Sequence, residues 1–335
     1  MNLSRHFRHA VMLMFGLACG TQPAHGYNLF GPYPWGNEGL TYYNKWGDIF
    51  TPGSSGGTIT WSIMPDGTTI DPAFSDPNIT GVSTLNALMT SLGYDQALAA
   101  IERSLAQWSS AANIYFVRVP DSGVPFHSPG ATPPDTGQIR LGAFAINAGI
   151  GAVGYAPPPN GGTLEGDVLL NSNSTFFFDD GAEGELIDVF NDFEGLILHE
   201  LGHAMGLAHS DAQSVMSVNY DIFKYVNRIL DPDDVAAVQF LYGPALRADF
   251  NHDNVVDDDD LAIWKTGFGT TLAVDPMTGD ADGNGAIDGA DLLVWQRESS
   301  TGAGTSTAVA TVPEGSALTL ALVAAGVAAY CRGRR

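Results

Sequence analysis

"LILHELGHAMGLAHSD", residues Leu196 to Asp211, holds three of the chain's eight histidines within eleven residues. On a helix, His199 and His203 stand four apart and share one face, so two imidazoles can grip one metal ion. Glu200, beside the first of them, can reach a water on that metal. Gly206 can take a left-handed conformation, end the helix and turn the chain. That turn brings His209 back as a third ligand. Three protein nitrogens leave the fourth zinc position to water, the catalytic rather than the structural arrangement. Three neutral imidazoles leave the full metal charge to act on that water, and Glu200 is placed to take its proton and pass it to a leaving amine. A lone histidine pair at this spacing is more often surface or packing; the complete His-Glu-x-x-His-x-x-Gly-x-x-His run is far more specific.

The 335 residues allow one medium domain and one small one. A hydrophobic content of 44% with 15% charged residues reads as globular rather than disordered. The net charge of −23 argues against nucleic acid and anionic membrane surfaces as partners, and suits a chain that binds cations. Arg5 and Arg8, then the apolar run Ala10 to Cys19, then small residues at Ala24 and Gly26, read as a secretory signal over residues 1–26. A lipoprotein signal ending at Cys19 is the alternative. The one other cysteine is Cys331, so no disulfide framework is available, and stability must come from core and metals.

Residues 27–57 read as an irregular entry segment rich in Gly, Pro and aromatics. Gly57 to Met64 is a β-branched, alternating strand, and Asn113 to Val119, Gly137 to Ile146 and Gly166 to Ser172 are three more. Leu98, Ile101, Leu105 and Trp108 recur at helical spacing within Leu85 to Ala111. The signature helix is expected from about Asn191, with Asn191 or Asp192 as cap, to Met205. A last helix covers Leu230 to Gly243, with Asp231 as cap and Pro232 in its first turn. This order predicts an α+β domain over residues 27–245 with a mostly parallel, twisted sheet.

"HELGHAMGLAHS" resembles the metzincin metallopeptidases, and the Ser after the third histidine makes it most similar to the matrixins. That resemblance implies zinc on His199, His203 and His209, Glu200 as general base, and a twisted, mostly parallel five-stranded sheet with an active-site helix and a closing helix. It implies Met216 as the Met-turn floor under the zinc and Tyr220 as a residue of the substrate pocket. Protein or peptide substrates follow from the same resemblance. Three family features are missing. The loop Gly149 to Leu170 has no histidine for a second, structural zinc, and His127 is the nearest; Asp167 stays open as a calcium ligand. No switch cysteine stands in a pro-segment, and Val218 replaces the usual proline before Tyr220.

After Gly243 a repeat with a period of 31 residues begins: "DFNHDNVVDDDDLAIW" from Asp249 and "DADGNGAIDGADLLVW" from Asp280. EF-hand-type loops place oxygen ligands at positions 1, 3, 5, 7, 9 and 12. In the first loop these are Asp249, Asn251, Asp253, the Val255 carbonyl, Asp257 and Asp260. In the second they are Asp280, Asp282, Asn284, the Ala286 carbonyl, Asp288 and Asp291. Gly285 stands sixth in one loop and Asn254 in the other, where both tolerate positive φ. Two such loops with Asp at position 12, each followed by one helix, look like a dockerin, a small all-α module over residues 246–298. Val256, Ile287, Trp264 and Trp295 would form its core. The resemblance implies two calcium ions and docking on a cohesin-like partner, or else a calcium-stapled spacer.

Residues 299–311 form a small-residue linker. The tail over residues 312–335 carries "VPEG", an apolar stretch from about Ala317 to Cys331, and an arginine cluster. It resembles the bacterial PEP-CTERM sorting signal, which implies transient inner-membrane contact and release to the cell surface or extracellular matrix. A plain tail anchor is the alternative. The sequence thus describes a secreted, surface-sorted zinc endopeptidase. The rival is a calcium-dependent surface or matrix binding protein in which proteolysis is minor.

Overall fold

The computed structural model describes residues 26–36, 39–130, 132–147, 149–159, 162–178, 192–211, 214–217, 228–271 and 278–302. In chain order the elements are β1 (Asn28–Leu29), β2 (Tyr33–Trp35), β3 (Leu40–Tyr42), β4 (Gly57–Ile63), β5 (Ile79–Thr80), α1 (Leu85–Leu92), α2 (Tyr94–Ala111), β6 (Ile114–Arg118) and β7 (Ile139–Ile146). Then come β8 (Ala152–Gly154), β9 (Val168–Asn171), α3 (Phe193–Ala204), β10 (Leu207–Ala208), α4 (Pro232–Tyr242), α5 (Asp258–Gly267) and α6 (Gly289–Gly302). Residues 1–25 of the expected signal, residues 303–311 of the linker, the whole tail 312–335 and Tyr220 lie outside the described residues. No helix among the described residues is long and apolar enough to cross a membrane.

The main sheet runs β6-β4-β7-β9-β8, parallel throughout except for the antiparallel edge strand β8. The expected five strands become six, because the two-residue β5 also pairs antiparallel with β7. The residues called an irregular entry segment contain β1, β2 and β3. Strands of two or three residues carry no readable alternation, which is why pattern alone missed them and β8. The helical pattern of Leu85 to Ala111 is broken into two helices at Gly93, whose φ of +93° an L side chain rarely adopts.

Helix α2 buries Ala97, Ala100, Ile101, Ser104, Leu105 and Trp108, a stripe of three- and four-residue spacing. This stripe, the inner face of the sheet and α3 share one core with α4. On the sheet's other face, Met64, Phe126, Phe144 and Leu169 form a second cluster. His127 packs beside it, its ring 5.3 Å from that of Phe74.

Asp167 is fully buried. Its Oδ1 accepts the Arg140 backbone N–H at 2.8 Å. Burial pushes its carboxyl well up, and the Arg140 charge pulls it back. The Arg140 side chain is itself buried, donating from Nε and Nη2 to Asp121 at 2.8 Å each. Burial alone would raise Asp121, but bonds from Arg140, Ser62 and Gly123 outweigh it and hold its carboxyl below the usual range. The positive charge beside Asp167 in this fold is therefore a guanidinium. Arg140→Met strands the buried Asp121 carboxylate, so urea denaturation at pH 7 should show a loss of about 3–5 kcal/mol. A loss under about 1 kcal/mol would mean that the cluster is not charged as described.

The acidic repeat packs around Ala248, Phe250, Val256, Ala281 and Val294, with Trp264 and Trp295 on its flank. Ile287 is also buried, against Gly267 and Gly279. The two tryptophans cross over: Trp264 Nε1 donates to the Asp288 carbonyl at 3.0 Å, and Trp295 Nε1 to the Asp257 carbonyl at 2.8 Å. Each indole thus holds the ninth position of the other loop. Glu298 on α6 closes the unit by accepting the Ala248 N–H at 2.8 Å.

Candidate metal centre

Asp192 caps α3, its carboxylate accepting the Gly195 N–H at 2.8 Å. Arg228 binds that same carboxylate, and Arg103 of α2 grips Glu194 in the first turn at 2.9 and 2.6 Å. Both acids also suit the positive end of the helix dipole. At the other end, the orphan carbonyls of Ala204 and Met205 accept from Trp46 Nε1 and Tyr242 Oη, both at 2.9 Å. Gly206 then turns the chain at φ +95°, and a Cβ there would stand 2.2 Å from the Asn44 carbonyl oxygen.

These supports bring His199, His203 and His209 together. Their Nε2 atoms lie 3.3 Å (His199 to His209) and 3.1 Å (His203 to His209) apart. The Nδ1 atoms of His199 and His203 face the carbonyls of Val215 at 2.6 Å and Leu207 at 2.8 Å. A carbonyl can only accept, so both rings carry their proton on Nδ1 and turn an Nε2 lone pair inward. Lone pairs that face one another repel unless a cation sits between them. Tetrahedral zinc at about 2.0–2.1 Å from each nitrogen would space them about 3.3–3.4 Å apart. The residues present fit that metal in spacing, tautomer and donor type.

Glu200 is buried beside the triad. Burial pushes its carboxyl up, while the neighbouring His199 imidazole and the Gly154 N–H pull it down. That N–H belongs to β8, the edge strand that lies across α3. A Cβ at Gly154 would stand 2.4 Å from the Glu200 carbonyl oxygen, so this close approach requires glycine. Met216 is buried beneath the triad, and a Cβ at Gly202 would stand 2.2 Å from its Sδ. Glycine at 202 lets the Met-turn sit directly under the helix.

The matrixin family profile matches residues 82–243. The chain carries a matrixin domain. Metalloendoproteinase 1-MMP of Arabidopsis thaliana is 30% identical over 152 residues, 42% of this chain and 36% of that protein. Karilysin of Tannerella forsythia is 30% identical over 154 residues, 43% and 28% of the two chains. Matrix metalloproteinase-20 of Homo sapiens is 32% identical over 166 residues, 49% and 30%. The chain spans about a third of the length of these relatives.

Within the matrixin domain, Asp234 of α4 is a supporting residue that sequence reasoning missed. Its carboxylate accepts the N–H groups of Val215 at 2.8 Å and Met216 at 3.2 Å, fixing the turn whose Val215 carbonyl orients His199. The Ser210 N–H in turn donates to the Met216 carbonyl at 2.7 Å, tying the residue after His209 to the same turn. Strand β1, unseen in the sequence, pairs with β10, and Asn28 Nδ2 donates to the His209 carbonyl at 2.9 Å.

The repeat brings three of its acidic residues together in the second loop. Asp280, Asp282 and Asp291 each offer an oxygen within 4.8 Å of the others; the corresponding trio in the first loop is Asp249, Asn251 and Asp260. In both loops the first carboxylate accepts the N–H groups of positions 5 and 6. In both loops the twelfth accepts the N–H of position 9. Positions 4 and 6 have positive φ in each: His252 and Asn254, then Gly283 and Gly285.

Burial, followed by the neighbouring histidines, pushes His203 well below 6.5, and burial with the neighbouring His199 imidazole takes His209 down to about 4. A folded-state histidine pKa below its unfolded value contributes stability above about pH 6.5 that is lost as pH falls through the folded value. For metal-free protein, the stability advantage of the parent over His209→Gln should shrink between about pH 6.5 and 4. Thermal melts in a chelator would measure it. An advantage that grows on acidification would contradict the buried, neutral triad.

Proposed function

We propose that this chain is a secreted zinc endopeptidase. The observation that carries the proposal is the convergence of three Nε2 atoms beside Glu200, beneath the edge strand β8. His199, His203 and His209 would hold the zinc, which when bound would supply Lewis acidity to a water and to the scissile carbonyl. Glu200, whose buried carboxyl is shifted toward neutral pH, takes the proton of the attacking water and returns it to the leaving amine. Gly154 N–H holds one carboxylate oxygen in place. The edge of β8 away from β9 offers backbone groups to which an extended peptide can add as a further strand, and Tyr220 would line its side-chain pocket. The relatives' names, metalloendoproteinase and matrix metalloproteinase, support the same reaction class.

The peptidase domain spans residues 27–245 in this reading. Residues 246–298 are a dockerin-like module that takes two calcium ions: the donor sets are hard oxygens, and each loop turns its backbone through positive φ at the sixth position. Phe268 and Leu293 are exposed on the module and offer apolar anchors to a cohesin-like partner. The signal and the tail carry the enzyme across the cytoplasmic membrane to a bacterial surface or matrix.

Glu200→Ala should lower cleavage of a peptide library by about 10²-fold or more while one zinc per chain stays bound. Undiminished cleavage by that variant would end the proposed mechanism.

A further inference from the structure

The two calcium loops match each other in sequence and hydrogen bonding but not in surroundings. Asp249, first in its loop, accepts a hydrogen bond from Tyr115 Oη at 3.1 Å, and Tyr115 lies on β6 of the peptidase domain. The hydroxyl also donates to the Leu246 carbonyl at 3.1 Å, in the junction between the two units. The oxygen it meets on Asp249 is Oδ2, which takes the Asn254 N–H at 2.9 Å. Oδ1 accepts the Asp253 N–H at 3.1 Å. Tyr115 therefore orients the first ligand from behind, as an outer hydrogen bond does for a metal-bound carboxylate.

His252 supplies a second, independent link. It stands fourth in the loop at φ +58°, where the second loop has Gly283. A side chain at Gly283 would meet nothing within 4 Å. The His252 ring instead stacks on Tyr115, with centroids 3.7 Å apart and planes 16° from parallel. A left-handed histidine carries a backbone cost that glycine avoids, and the stack offsets it. Ser55, just before β4, adds a hydrogen bond to Asn254, the sixth residue of the same loop.

We propose that the peptidase domain completes the first calcium loop, so that calcium binding at residues 249–260 and docking of the module on Tyr115 and Ser55 form one coupled equilibrium. The second loop, which makes no such contact among the described residues, binds calcium on its own terms. This rests on the calcium reading of the repeat given above. Coupling is reciprocal: calcium should tighten the docking by the same factor by which docking tightens calcium.

The test uses the full chain carrying Glu200→Ala to silence self-cleavage. Calcium is titrated calorimetrically, and Asp253→Ala identifies which of the two affinities belongs to the first loop. Tyr115→Phe, which removes only the hydroxyl, should weaken that site by about tenfold and leave the other unchanged. Trypsin gives a second readout, because Arg247 lies exposed in the junction. Calcium should slow cutting after Arg247 in the parent and do so much less in Tyr115→Phe. Equal weakening of both sites, or no change at either, would overturn the coupling. Protection of Arg247 that is the same in calcium and in chelator would overturn it as well. A parent chain that binds no calcium would instead remove the calcium reading itself, and the coupling with it.

Discussion

Three imidazole Nε2 atoms brought to one point, two of them with lone pairs turned inward, are the constraint on which the rest of this protein depends. Without a cation they repel, and burial prevents protons from relieving that repulsion cheaply, since His203 and His209 are both held below their ordinary range. The fold must therefore force them together. It does so at both ends of α3: Arg103 and Arg228 fix its first turn, and Trp46 and Tyr242 take its last carbonyls. Asp234 and the Met-turn fix the ring of His199 from below. Metal binding would return the free energy that this arrangement costs.

The chain repeats that strategy in the acidic module, where clustered carboxylates stand close together and are held by backbone N–H groups rather than by basic side chains. The net charge of −23 is consistent with both ends of the molecule being built around cations. No disulfide is available between residues 20 and 330, since the sequence there has no cysteine. Internal charge is handled differently at Asp167, where Arg140 provides the compensating charge from within the fold.

The metal ligands were legible because their geometry is local. A helix fixes His199, Glu200 and His203 relative to one another, and one glycine sets the return to His209, so spacing in sequence is spacing in space. The matching turns of the two acidic loops are local in the same way, set by backbone N–H bonds to the first and twelfth carboxylates of each. What pattern reading missed depends on contacts between distant residues. Gly154 on a three-residue strand, Asp234 on the closing helix and β1 beside His209 have no local signature that ties them to the site. Gly93 was hidden inside an apolar pattern that continues on both sides of it. Tyr115 looked like any strand tyrosine, and only the fold places it against Asp249.

The central claim is that His199, His203 and His209 together hold one zinc ion. Zinc-edge X-ray absorption on the purified protein tests it most directly. The account expects one zinc per chain, bound by three imidazole nitrogens at about 2.0–2.1 Å with one lighter oxygen ligand. A spectrum with fewer than three imidazoles, or one unchanged by His203→Ala, would contradict it.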